Sequence, residues 1–137
     1  MEPQRILIVD DDVDLRQTLC ELLRDEGYRV QGAENGAEAL ALLRSGAPLP
    51  HLLLLDLMMP VMDGWQLRAA LRSDPRLAQL PVVVLTASRN LGRSPALDVD
   101  ALAYKPLQLD RLLDLVAEHA AREPPAWSSG PYDAHAH

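Results

Sequence analysis

Short apolar runs and helical apolar stripes alternate along this chain. Arg5–Asp10 (RILIVD) is β-branched and ends in acid, the pattern of a strand. Val13–Glu26 repeats Leu15, Leu19, Leu22 and Leu23 at helical spacing and stops at Gly27. Tyr28–Ala33 predicts a second strand. Asn35–Ser45 predicts a second helix, with Ala37, Leu40 and Ala41 on one face and Gly46 as its stop. His51–Asp56 contains four consecutive leucines, Leu52 to Leu55, and reads as a strand buried on both faces. Trp65–Arg72 predicts a short third helix closed by Asp74-Pro75, and Pro81–Thr86 (PVVVLT) a fourth strand. Between Thr86 and the weak fifth strand Ala101–Tyr104, the polar stretch Ser88–Arg93 has no helical period. Ser94-Pro95 there resembles an N-cap followed by proline at the first helical position. Leu109, Leu112, Leu113, Val116 and Ala120 form the stripe of a last helix that fades near Arg122.

Strand and helix thus alternate five times. With right-handed crossovers this gives an α/β fold, a parallel sheet covered by helices on both faces. At this length the expected arrangement is the flavodoxin-like (βα)5 doubly wound sheet of order 2-1-3-4-5, with a short or irregular helix 4. Strands two and five are then the edges, which suits their polar content. The domain is expected to span residues 1–122. After it, the Pro- and Ser-rich stretch 123–131 and the aperiodic end, with His135 and His137, predict a low-order tail over 123–137.

Composition narrows the function classes. The chain has 137 residues, the size of one domain with one core, and is 48% hydrophobic. A formal net charge of -7 argues against binding nucleic acid through its phosphates. No apolar run approaches the roughly 18 residues of a membrane span, and the N-terminus lacks a signal-peptide shape. The single cysteine, Cys20, cannot form an internal disulfide and falls among Leu19, Leu22 and Leu23, a buried small hydrophobe. A cytoplasmic protein is expected.

The strand ends carry the chemistry. Strand one ends in Asp10-Asp11-Asp12, strand three in Asp56, strand four in Thr86 and strand five in Lys105-Pro106. Ligands of open α/β sheets sit at this edge, beside the switch point between strands one and three. Crowded carboxylates repel one another and call for a cation, and oxygen-only ligands select a hard one such as Mg2+. A carboxylate beside Mg2+ can act as a nucleophile toward phosphorus. The charge on the phosphoryl oxygens would be shared by metal, ammonium and hydroxyl, roles that suit Lys105 and Thr86. Lys105 is the only lysine among 13 Lys and Arg residues, so a compact ammonium is used where arginine is otherwise preferred. Asp12 also suits the N-cap of helix one, and Asp63 that of helix three after the Asp63-Gly64 turn.

Together, Ile8-Val9-Asp10-Asp11-Asp12, Asp56-Leu57-Met58-Met59-Pro60-Val61-Met62-Asp63-Gly64, Thr86-Ala87 and Lys105-Pro106 resemble the receiver domain of two-component response regulators, over residues 4–122. The resemblance implies Asp56 as phospho-acceptor. It implies Mg2+ held directly by Asp11, mainly through water by Asp10, and also by Asp56 and the backbone carbonyl of Met58. It implies Lys105 on the phosphoryl oxygens and Thr86 as the hydroxyl that reports phosphorylation. The partner would be a sensor histidine kinase or phosphotransfer protein, with no nucleic acid or membrane. The chain would be a monomer or weak homodimer that signals by protein contact or relays phosphate onward. A single-domain regulator with no output domain, not an enzyme, is the expectation. Met58 and Ser88 would line the site mouth and influence phosphate lifetime.

The pattern departs from that family at two places. The switch aromatic, three residues before the lysine, is here Leu102, and Tyr104 lies on the same strand face one step along. The stretch between Thr86 and Lys105 is short for the family. Two rivals share parts of the pattern. One is a phosphorylation-independent scaffold on the same fold. The other is a haloacid-dehalogenase-type phosphatase, which Asp10-Asp11-Asp12 fits superficially. It has Asp14 where Thr or Val is usual, and it leaves Asp56 unexplained.

Overall fold

The computed structural model describes residues 3–57, 62–86 and 99–120. Its elements are β1 (Arg5–Val9), α1 (Val13–Asp25), β2 (Arg29–Ala33), α2 (Gly36–Leu43), β3 (Leu52–Asp56), α3 (Gly64–Ser73), β4 (Val82–Thr86), β5 (Ala101–Tyr104) and α4 (Leu109–Ala120). The five strands are parallel in the order β2-β1-β3-β4-β5, so the expected doubly wound topology is the observed one and β2 and β5 are its edges. The short helix expected from Ser94 and the tail over 123–137, with Trp127, Tyr132, His135 and His137, lie outside the described residues.

Side chains of successive strand residues point to opposite faces, and the sheet divides its core accordingly. Leu7, Val9, Leu53, Leu55, Val82 and Val84 pack with Leu40 and Leu43 of α2 and Leu67 and Leu71 of α3. Ile6, Ile8, Leu52, Leu54, Val83 and Leu85 pack with Leu19 and Leu23 of α1 and Leu112, Leu115 and Val116 of α4. Every residue of β3 and β4 is buried. Each fully buried Leu or Val contributes about 1.5–3 kcal/mol, so these two strands anchor the fold. Cys20 belongs to the second layer, and burial pushes its thiol pKa up against the lowering pull of Arg24 and Arg16.

Local signals set the boundaries. Asp12 caps α1 through its carboxylate, which accepts from the Leu15 amide at 3.1 Å. Gly27, at φ 97°, turns the chain out of α1 in the left-handed region that glycine adopts without strain. Asn35 caps α2 by accepting from the Glu38 amide. Asp63 and Gln66 form a reciprocal capping box on α3. Gly64 is more than a turn residue. Its amide donates to the Leu57 carbonyl at 3.0 Å, and a Cβ there would stand 2.8 Å from Leu57 Cα. Only glycine lets α3 begin this close to the end of β3.

Candidate functional site

Four strand ends meet at one edge. Asp56 and Thr86 are the last residues of β3 and β4, while Asp10 and Lys105 directly follow β1 and β5. Pairing of β1 with β3 sets Val9 beside Leu55 and so brings Asp10 toward Asp56. Pairing of β4 with β5 sets Thr86 beside Tyr104, and the Lys105 amide donates to the Thr86 carbonyl at 2.8 Å. The Lys105–Pro106 peptide is cis.

Burial at this edge is unusual for charged groups. Asp10 is 0% exposed, Asp56 5% and Thr86 0%. Such carboxylates stay ionised only where charge or hydrogen bonds support them. Asp10 Oδ1 accepts from the Asp12 amide at 2.9 Å. Lys105 Nζ lies 3.4 Å from Asp10 Oδ2 and 3.7 Å from Asp56 Oδ2, bridging the two acids. The backbone of Asp10 is tied on both sides. Its amide donates to the Ala33 carbonyl at 3.0 Å, and its carbonyl accepts from Arg16 Nη1 at 2.7 Å.

One oxygen each from Asp10, Asp11 and Asp56 fall within 4.8 Å of one another. Two oxygens on one Mg2+ stand at most roughly 4.2 Å apart, twice the bond length. The cluster is close to that size, and an acid bound through a water would stand farther out than a direct ligand. Two buried carboxylates and one exposed one, all hard oxygen donors, fit Mg2+ and not a soft metal. Asp12 is outside the cluster and serves α1, so the structure divides the three consecutive acids into two site residues and one cap. Met58 and Ser88 lie outside the described residues.

Leu102 and Tyr104 both lie on β5. Leu102 is partly buried against the α2–α3 layer. Tyr104 is half-buried, on the same face of β5 and in register with Thr86. Sequence reasoning overlooked Arg16 and Gly32. Gly32 lies inside β2, and a Cβ there would be 3.0 Å from Arg16 Cδ. A glycine within a strand is the available signal for such a close approach.

This edge, on this topology, defines the receiver class of α/β protein, and sequence comparison agrees. The response regulator receiver domain profile matches residues 6–117. The chain belongs to that family. It is 42% identical over 123 residues to the "Uncharacterized 14.6 kDa protein in sodA1 3'region" of Leptolyngbya boryana, covering 88% of this chain and 92% of that one. It is 36% identical over 133 residues to the response regulator Rre1 of Synechocystis sp., covering 94% of this chain and 57% of Rre1. It thus spans little more than half of Rre1, and 48% of the response regulator MprA of Mycolicibacterium vanbaalenii. Among solved structures, a putative response regulator from Chloroflexus aurantiacus superposes with a TM-score of 0.79 at 32% identity, covering 88% of this chain and 99% of that one. The response regulator TrrA of Thermotoga maritima, solved in complex with Mg(2+)-BeF, gives 0.73 at 30% identity, covering 84% and 97%. The protein is therefore a receiver domain of two-component signalling with an acidic pocket suited to Mg2+. Among the described residues no helix is long and apolar enough to cross a membrane.

Proposed function

We propose that Asp56 accepts a phosphoryl group from a sensor histidine kinase or phosphotransfer protein, in a Mg2+-dependent reaction carried by the domain over residues 1–122, with 123–137 as a tail. The observation that carries this reading is the cluster of Asp10, Asp11 and Asp56 with Lys105 bridging two of its acids. An Asp56 oxygen attacks phosphorus and forms an acyl phosphate. The bond from phosphorus to the donor atom breaks, and the donor leaves with the electron pair. Asp10, Asp11 and Asp56, together with the Met58 carbonyl, would hold Mg2+. When bound, the ion neutralises charge on the transferring group. The Lys105 ammonium takes a second share, and the Thr86 hydroxyl donates a hydrogen bond to another oxygen.

Lys105 also changes partners in this scheme. It neutralises Asp10 and Asp56 beforehand and pairs with the phosphoryl oxygens afterward. The signal passes through protein contacts in the cytoplasm or by onward phosphorelay. Intact mass after incubation with Mg2+ and acetyl phosphate tests the reading. One added phosphoryl group is expected on the wild type and none on Asp56→Ala. An unmodified wild type would sink it.

Leu102 favours a second reading, a scaffold on the receiver fold that works without phosphorylation, because the position where the family resemblance implies an aromatic holds this partly buried leucine. If Asp56→Asn and acetyl phosphate both leave partner binding unchanged, the scaffold reading stands instead.

A further inference from the structure

We infer that Arg16 is a positioning residue for the Mg2+ site, acting through the backbone of Asp10 and seated on Gly32. The inference rests on the metal reading above and assigns a role to residues outside the acidic cluster.

Arg16 is one turn along α1 from the cap Asp12, and its amide donates to the Asp12 carbonyl at 2.9 Å. Its side chain runs back toward β1, where Nη1 donates to the Asp10 carbonyl at 2.7 Å. That is a short, charge-assisted hydrogen bond. The stem lies against Gly32 of edge strand β2. A Cβ at Gly32 would stand 3.0 Å from Arg16 Cδ, 3.2 Å from Cγ and 3.3 Å from Nε. Any larger residue would push the stem away. One arginine thus joins α1, the end of β1 and β2 at the point where the metal-binding loop begins.

The bond holds the loop rather than the ligand oxygens. With the Asp10 amide fixed on Ala33 and its carbonyl fixed on Arg16, the peptide planes either side of Asp10 cannot rotate freely. The Asp10 carboxylate then emerges in one direction, toward Asp56 and Lys105. Asp11 follows from the same fixed point.

A guanidinium near the cluster also repels a divalent cation, and the two effects have opposite signs. Arg16 is half-buried and bonds a carbonyl rather than a carboxylate, so solvent weakens its field at the metal. The tie acts directly on the loop backbone. Positioning therefore outweighs repulsion, and removing the tie weakens Mg2+ binding.

Isothermal titration of Mg2+ into the full chain tests this. The Arg16→Met variant should bind Mg2+ about tenfold more weakly, the lower end of what loss of an outer-shell partner produces. Gly32→Ala keeps every charge and displaces only the arginine stem, so it should shift affinity the same way by less. Arg24→Met is the matched control. Arg24 also joins α1 to a β2 carbonyl, that of Val30 at 2.9 Å, but away from the site. It should lower the melting temperature and leave Mg2+ affinity at the wild-type value. Unchanged or tighter binding in Arg16→Met overturns the inference, as does an equal loss in Arg24→Met. Wild-type protein that binds no Mg2+ removes the metal reading and this inference with it. Wild-type binding with an unaffected Arg16→Met removes this inference alone.

Discussion

Lys105 sits between two buried acids and is itself about one-quarter exposed, so it is the counter-ion that the strand ends share before any metal arrives. Replacing it by Met removes that shared cation from both acids. The metal-free protein should lose about 1.5–3 kcal/mol, the worth of a hydrogen bond to a charged group. Mg2+ should restore more stability to Lys105→Met than to the wild type. Urea melts with and without Mg2+ measure both, and equal Mg2+ increments in the two proteins would contradict the shared counter-ion. Most of this site was legible at the residue scale. Asp10, Asp11, Asp56, Thr86 and Lys105 each stand at a strand end, and strand ends can be read from hydrophobic pattern alone. Arg16 and Gly32 were not legible. Their tie crosses three elements, and only the glycine within β2 hinted at it.

Elements were read well where one local signal decided them. Asp12 and Gly27 bracket α1, and Gly46, at φ 90°, follows α2. Helix α3 begins one residue earlier than its apolar stripe predicts and ends one later. Gly64, which the sequence marks as a turn, is already helical because the Asp63–Gln66 box closes over it. The Gln66 side chain accepts from the Asp63 amide at 3.0 Å, and the Asp63 carboxylate accepts from the Gln66 amide at 2.9 Å. Asp63→Ala should therefore destabilise the domain by about 1 kcal/mol through loss of the cap, read as a lower denaturation midpoint with unchanged slope. A stability equal to wild type would mean the box contributes nothing. Most of the stretch between β4 and β5 lies outside the described residues. Its polar run has neither the period of a helix nor that of a strand.

Across the whole molecule, a ligand that binds only the folded state stabilises it by mass action. Mg2+ at a hundred times its dissociation constant should contribute about 2.7 kcal/mol. That should raise the melting temperature by roughly 10 °C in a domain of this size, and a chelator should reverse it. Asp11→Ala and Asp56→Ala should each lose most of that shift while remaining folded, and a full shift in either would remove that residue from the metal site. The topology itself was legible because five alternating segments with right-handed crossovers leave few arrangements. The aliphatic uniformity of the central strands has one further consequence. In most sheets a one-residue slip exposes apolar groups and is forbidden by water. In β3 and β4 it is not, because Leu52 to Leu55 and Val82 to Leu85 present aliphatic carbon to both layers. What a slip would misplace is Asp56 and Thr86, forcing a carboxylate or hydroxyl among leucines. The polar strand ends thus also fix the alignment of the sheet, so that a mutation there threatens correct strand pairing during folding as well as chemistry afterward.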